Sequence, residues 1–217
     1  GSLKAFVLLM YIPEYFRNKN FNQQVDFIKE NSFGILITHS EKEMFATHIP
    51  LTSLVIENHL VLYGHISKEN QQCSTLINDS DALIIFSGPH CYISSSWYSH
   101  ENVSTWNYQA VHCQGKIKIQ SEIELLQSLM QLTDHYESKE EQPKFFEKID
   151  PKVIRDNLTG ILGFEIIVSN IDAKDKLSQN RNKKDYENIV THLKKRDDAM
   201  SDAIATAMLK NKDKTVG

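Results

Sequence analysis

The chain lacks most marks of a secreted, membrane-spanning or dedicated nucleic-acid-binding protein. Its 217 residues hold three cysteines, Cys73, Cys91 and Cys113, an odd and widely spaced set with no CxxC pair. Neither a disulfide framework nor a zinc ribbon is indicated, and reduced thiols in a cytoplasmic protein are expected. No apolar run approaches the roughly 20 residues needed to span a bilayer. Positive charge is not in excess: 24 Lys and Arg against 28 Asp and Glu leave a net −4, with a pI near 6.1. No basic footprint draws the chain to nucleic acid. GxGxxG and GxSxG are both missing, so no permanent dinucleotide fingerprint and no nucleophile elbow is expected. His48, His65, His90, His100 and His112 include no helical i,i+4 pair and no HxH on one strand face, so local metal-ligand spacing is absent.

Hydrophobic residues make up 41% of the chain, enough for a packed core in one large domain or two small ones. A helix capped by Asn20 or Asn22 and running to Asn31 is expected, with Phe21, Val25, Phe27 and Ile28 as its buried side. Strands follow over 33–39 and 44–51, joined across Glu41-Lys42-Glu43, with Pro50 marking an end or an edge. A third strand covers 60–66 after a turn at Asn58-His59. Ser67 then caps a helix through Leu76. A fourth strand over 81–87 is broken by Gly88-Pro89, and a long fifth over 107–120 bends at Gly115. Ser121 and Glu124 form a capping box, and Ile123, Leu126, Leu129, Met130 and Thr133 form the apolar stripe of the helix that follows. After a short helical piece at 153–158 comes a last strand over 161–169. Beyond Arg181, helical periods around Tyr186–Leu193 and Met200–Met208 give one or two helices and a frayed tail. Closely spaced strands without βαβ alternation argue for an antiparallel barrel.

Both tryptophans, Trp97 and Trp106, fall in the polar segment SSSWYSHENVSTWNY, residues 94–108. An indole carries a large apolar face and an N–H that wants a partner, a mixture that suits an interface or a cofactor cleft. The alternative is a loop folded back to bury the indoles in its own subunit.

Several segments together resemble one family: MYIPEYF at 10–16, FATHIPL at 45–51, GHISKEN at 64–70, GPHCYIS at 88–94, STWNYQAVHCQG at 104–115 and KLSQNR at 176–181. They are similar to the PaiB-type FMN-binding negative transcriptional regulators, within the split-barrel group related to pyridoxamine phosphate oxidase. The resemblance implies a mainly β fold with flanking helices, a six-stranded antiparallel split β-barrel with C-terminal helices. It also implies a homodimer with FMN at the subunit interface. On that reading 1–9 is a cloning scar (Gly1-Ser2) or an N-terminal extension, with Met10 as the native start. Residues 10–181 form the flavin-binding domain and 182–217 a helical segment and tail. Ser95 and Ser104 stand where that family usually has proline, which leaves the loop freer.

The implied flavin site places Thr47, His48, Ile49 and Pro50 along the isoalloxazine edge. Thr47 and His48 point to opposite faces of their strand, so one of them faces the ring. His65 lies on the strand leading to Ser67, Lys68 and Asn70, which would meet the phosphate where a strand gives way to a helix start. Trp106 and Asn107 would touch the ring. Lys176 and Arg181 would lie at the mouth, with Arg181 as a forked anion contact. The plain alternatives are a hairpin strand, a capped helix with a solvated lysine, and a solvated basic turn. Lys194-Lys195-Arg196, followed by two aspartates, reads as a solvated helical face. Three functions remain open: an FMN-binding regulator acting on DNA or through a partner protein, a flavin-dependent oxidoreductase, and a flavin-free dimeric interaction module.

Overall fold

A computed structural model describes residues 10–212. The readings of 1–9 and of the tail beyond 212 lie outside the described residues. In chain order the elements are α1 (Phe21–Glu30), β1 (Phe33–His39), β2 (Met44–Pro50), β3 (Thr52–Ile56), β4 (His59–Ser67), β5 (Asp81–Ile93), β6 (Thr105–Ile119), α2 (Glu122–Glu137), α3 (Pro151–Leu158), β7 (Ile161–Lys176), α4 (Lys183–Lys195) and α5 (Ala199–Lys212).

The strands form one seven-stranded sheet in the order β2-β1-β5-β6-β7-β4-β3. The pairs β1/β2, β1/β5, β3/β4 and β4/β7 are antiparallel, with registers such as Leu36↔Thr47, Leu36↔Ile84 and His65↔Gly163. The expected six-stranded split barrel is therefore corrected: the described residues form seven strands, and the end strands β2 and β3 are not paired. They follow each other in the chain with Leu51 alone between them, so the sheet's two ends meet there without closing. The additional strand is β3. Its Leu54, Val55 and Ile56 are consecutive apolar residues and all exposed, so the alternation that reveals a strand is missing. The turn after it is Glu57-Asn58, with φ of 48° and 66°. Two central residues at positive φ match the two-residue hairpin whose twist suits its strands.

Two further expectations are corrected. Gly88-Pro89 does not break β5, which continues to Ile93. The register with β1 reaches only Ile85, and beyond it proline's missing N–H leaves no ladder bond unmade on that side. The helix expected from Ser67 is a five-residue 3-10 turn, Gln71–Thr75, capped by Asn70, whose side-chain oxygen accepts from the Gln72 N–H at 2.9 Å.

The described residues divide into two compact units. The first comprises 10–24, 87–111 and 172–212. Its core joins Cys91, Ile93 and Leu177 to Tyr186, Ile189, Val190 and Leu193 of α4 and Ile204, Ala205 and Met208 of α5. The second comprises 25–86 and 112–171, and its most deeply buried side chains include Ile28, Leu36, Leu62, Ile84, Phe86, Phe164 and Ile166. No helix among the described residues is long and apolar enough to cross a membrane.

Candidate functional site

In the second unit, β2 and the turn after β4 are drawn together by a polar network. The Thr47 hydroxyl donates to Gln72 Oε1 at 2.5 Å and accepts from Asn70 Nδ2 at 3.0 Å. Gln72 is buried, and its amide donates to the Leu36 carbonyl at 3.1 Å and the Thr38 hydroxyl at 2.9 Å. Thr38 in turn meets Thr75 at 2.6 Å. Thr47 thus faces inward, while His48 is exposed and stacks on Phe33 at 6.1 Å. Ile49 is buried and Pro50 half-buried at the strand's end. Ser67 and Lys68 are exposed. The Lys68 ammonium donates to the Thr159 carbonyl at 2.9 Å, and Ser67 Oγ accepts from the Glu69 N–H at 3.2 Å. His65 is half-buried, and burial lowers its pKa from the ordinary 6.5. Gln72 was missed from the sequence because nothing local marks a glutamine as buried.

In the first unit, the tryptophan-bearing loop is fastened to its own subunit. Ser95 N–H donates to Ser104 Oγ at 2.9 Å, so the two positions that lack proline are tied to each other and the loop is not free. Ser99 N–H donates to the buried Asp185 carboxylate at 2.7 Å, and His100 Nδ1 lies 3.1 Å from the same group. The Trp97 ring stacks on His192 at 5.0 Å, with the Arg196 guanidinium 4.6 Å from it. Arg196 also donates to the Tyr92 carbonyl at 2.6 Å. Trp97 is therefore held within its own chain, and Arg196 is a structural group and not part of a solvated face.

Trp106 differs: it is 53% exposed. With Ser87, Gly88, His90, Tyr108, Gln109 and Ala110 it lines a cleft of about 220 Å³. Its ring lies 6.3 Å from His90 and 6.0 Å from Tyr92. The i,i+2 spacing of Trp106, Tyr108 and Ala110 along β6 is the signal that would have pointed to the additional lining residues. Asn107, on the opposite face, is 1% exposed, and its amide donates to Ser178 Oγ at 2.9 Å. Lys176 donates to the Thr105 hydroxyl at 2.6 Å, and the Arg181 guanidinium lies 4.3 Å over the Tyr98 ring. The sequence-predicted residues are thus distributed: Thr47 to Asn70 in the second unit, and Trp106, Asn107, Lys176 and Arg181 in the first.

The family described as "Putative FMN-binding domain" matches residues 10–170. The chain belongs to this FMN-binding family. FMN is accordingly its cofactor. The FMN-binding chain is 42% identical over 199 residues to "Protease synthase and sporulation protein PAI 2" of Bacillus subtilis (strain 168), covering 92% of this chain and 96% of that protein. Among solved structures it is similar to the flavocytochrome Anf3 from Azotobacter vinelandii, with a TM-score of 0.60 and 14% identity, covering 82% of this chain and 78% of that one. The FAD and heme binding protein from Mycobacterium smegmatis gives a TM-score of 0.55 and 13% identity, covering 74% and 73%. At these identities the likeness is one of fold.

The donors of the second unit fit the flavin's phosphate. A dianion needs a cation and hydroxyl donors within reach of one another, and Ser67-Lys68 supplies both on adjacent exposed residues. The contribution does not come from a helix dipole, since the segment behind it is one 3-10 turn whose first free N–H is already capped. Nucleophilic cysteine chemistry has no support: burial pushes Cys91 up to about 11, and Cys113 is raised as well.

Proposed function

We propose that this FMN-binding protein is a homodimeric regulator of protease production and sporulation, acting through its flavin and a partner protein. The observation that carries this reading is the 42% identity to the PAI 2 protein along almost the full length of both chains. We assign the flavin phosphate to Ser67 and Lys68, with Asn70 and Thr47 oriented by Gln72. His48, Ile49, Pro50 and His65 line the approach to the ring. Bound FMN supplies a ring that takes up and gives back electrons; the chain's own residues hold it and exclude water from it.

A second copy is favoured by size. The Trp106 cleft, about 220 Å³, falls short of the roughly 300–1,000 Å³ of ordinary small-molecule pockets. Exposed Trp106 and Tyr92 beside it are the aromatic residues an interface core favours. Indirect regulation is favoured by charge. α4 and α5 are joined through Arg196, Asp197 and Asp198, and the two aspartates with Asp202 in the first turn of α5 repel a phosphate backbone. The three free thiols suit a cytoplasmic setting.

Visible absorption of the purified protein, before and after added FMN and again after gel filtration, tests the reading. Flavin bands should co-elute with a species of twice the 25.0 kDa chain mass. Lys68→Ala should weaken FMN about tenfold or more, the scale of a hydrogen bond to a charged group. Unchanged affinity in that variant would remove the phosphate assignment, and a flavin-free monomer would remove the whole proposal.

A further inference from the structure

The helical insert between β6 and β7 is held to the sheet by little. From Glu122 to Gly160 it carries α2 and α3, and Leu125 is its one buried residue. Its other ties are polar and mostly exposed. Lys118 meets Glu124 at 2.9 Å, the Tyr136 hydroxyl meets Ser32 at 2.8 Å, and Gln120 donates to Ser128 at 2.7 Å. Leu125 seats α2 on the outer face of β7: a Cβ on Gly163 would meet its Cδ1 at 2.6 Å. His65 is directly opposite Gly163 in the β4/β7 register. Opposed residues share a face, with Cβ positions about 5 Å apart. The side chain that Gly163 lacks therefore leaves the His65 imidazole beside Leu125, under the first turns of α2. Among the described residues that imidazole has no hydrogen bond, ion pair or ring contact. The titratable and charged groups on the elements around it leave it alone. Lys118 of β6 holds Glu124 of α2 and Glu165 of β7, the latter at 3.4 Å. Glu122 of α2 and His48 of β2 are exposed, and burial pushes the Tyr63 phenol of β4 up, so it stays neutral. Burial is the cause that lowers His65.

A neutral imidazole can lie under the helix at small cost. An imidazolium there is a half-buried charge with no counter-charge, relieved when the helix lifts and water enters. A helix with one buried side chain belongs to the low-stability end of a fold, where local opening is cheap. The far end of the insert carries the consequence. The Lys68 N–H donates to the Gly160 carbonyl and its ammonium to the Thr159 carbonyl, each at 2.9 Å. We propose that His65 is an acid-sensitive catch for α2: when it takes up a proton the helix lifts from the sheet, the turn at Thr159 and Gly160 loosens with it, and Lys68 loses its placement for FMN. The sheet itself stays folded. The link to FMN rests on the assignment of Lys68 to the flavin phosphate; the lifting of α2 does not.

The first measurement is amide hydrogen exchange of the full chain without FMN, at pH about 7.5 and about 5.5, corrected for the intrinsic exchange rate. Protection over residues 122–137 should fall between them by up to about tenfold, the limit for one imidazole with an ordinary value of 6.5. Protection over 33–39 and 81–85, in the sheet, should hold. His65→Gln and His65→Phe cannot take up the proton and should keep α2 equally protected at both pH values. If one of them unseats the helix already at the higher pH, the other carries the reading. The proposal is overturned if α2 and the strands lose protection alike in the parent, or if the neutral variants lose it as the parent does. It is also overturned if both variants leave α2 unprotected at the higher pH, which marks a packing residue. The second measurement is FMN affinity at the same two pH values. A phosphate monoester itself titrates near about 6, so the readout is the parent's loss of affinity divided by that of the variant that keeps α2 seated. The ratio should stand well above one, and a ratio of one overturns the coupling to Lys68. Unchanged FMN affinity in Lys68→Ala would remove the phosphate assignment and leave the exchange result standing.

Discussion

A half-buried imidazole in a strand links stability to pH. His65 on β4 has its pKa lowered by burial from the ordinary 6.5. As pH falls, the unfolded chain takes up this proton before the folded one does. The contribution to stability is therefore whole above about 6.5 and drains away as pH drops through 6.5 toward the folded value. Urea midpoints at pH about 7.5 and about 5.5 should differ more for the parent than for His65→Gln; equal differences would show that His65 is not the group responsible. Asn107 shows another single-residue economy. Its amide holds Ser178, whose φ of 63° is unusual for a serine, and thereby fixes how the chain leaves β7. Asparagine in an aromatic-rich segment looks like a ligand contact in the sequence. The bond to a residue 71 positions away is what makes it internal.

At the scale of elements, Gly115 lets the backbone of β6 approach β7 closely. A Cβ there would run into the Ile167 carbonyl, and nearby Ile166 would crowd it further at 3.0 Å. Glycine was legible as a bend; the reason is a backbone approach that no local pattern records. Gly115→Ala should cost about 1–3 kcal/mol, the usual range for overpacking, read as a lower denaturation midpoint. An unchanged midpoint would mean that β7 yields freely. α2 makes the complementary point. Its capping box is present on both sides, and the Ser121 N–H, with the Lys118 ammonium, holds the Glu124 carboxyl down to about 2. Yet Ile123, at 71% exposed, Leu126 and Met130 face outward, and Leu125 is the buried residue. A cap is local chemistry and can be read from four residues. Which side of an amphipathic helix finds a partner depends on what the rest of the chain places beside it.

At the scale of the molecule, the first unit is assembled from three separated stretches of chain, and its core crosses all the boundaries a linear reading would draw. Ile189, Leu193, Ile204 and Met208 of the C-terminal helices are fully buried against Cys91, Ile93 and Leu177. Each such side chain contributes about 1.5–3 kcal/mol on burial, so four of them rival a typical domain's whole net stability. A chain ending at Arg181 should therefore expose that core and be recovered as aggregate or with strong binding of a hydrophobic dye. A soluble, cooperatively unfolding truncation would show that the helices are dispensable.

The order of six of the seven strands along the chain, the Ser121 cap, the absence of cofactor-nucleotide and nucleophile motifs, and membership of an FMN-binding family were all determined by the sequence alone, because each rests on residues near one another or on ordered motifs. The seventh strand, the inward turn of Thr47 onto Gln72, the tying of Ser95 to Ser104 and the separation of Trp97 from Trp106 were decided only by tertiary structure. Each depends on a partner brought close by folding, and burial and charge balance are properties of neighbours in space.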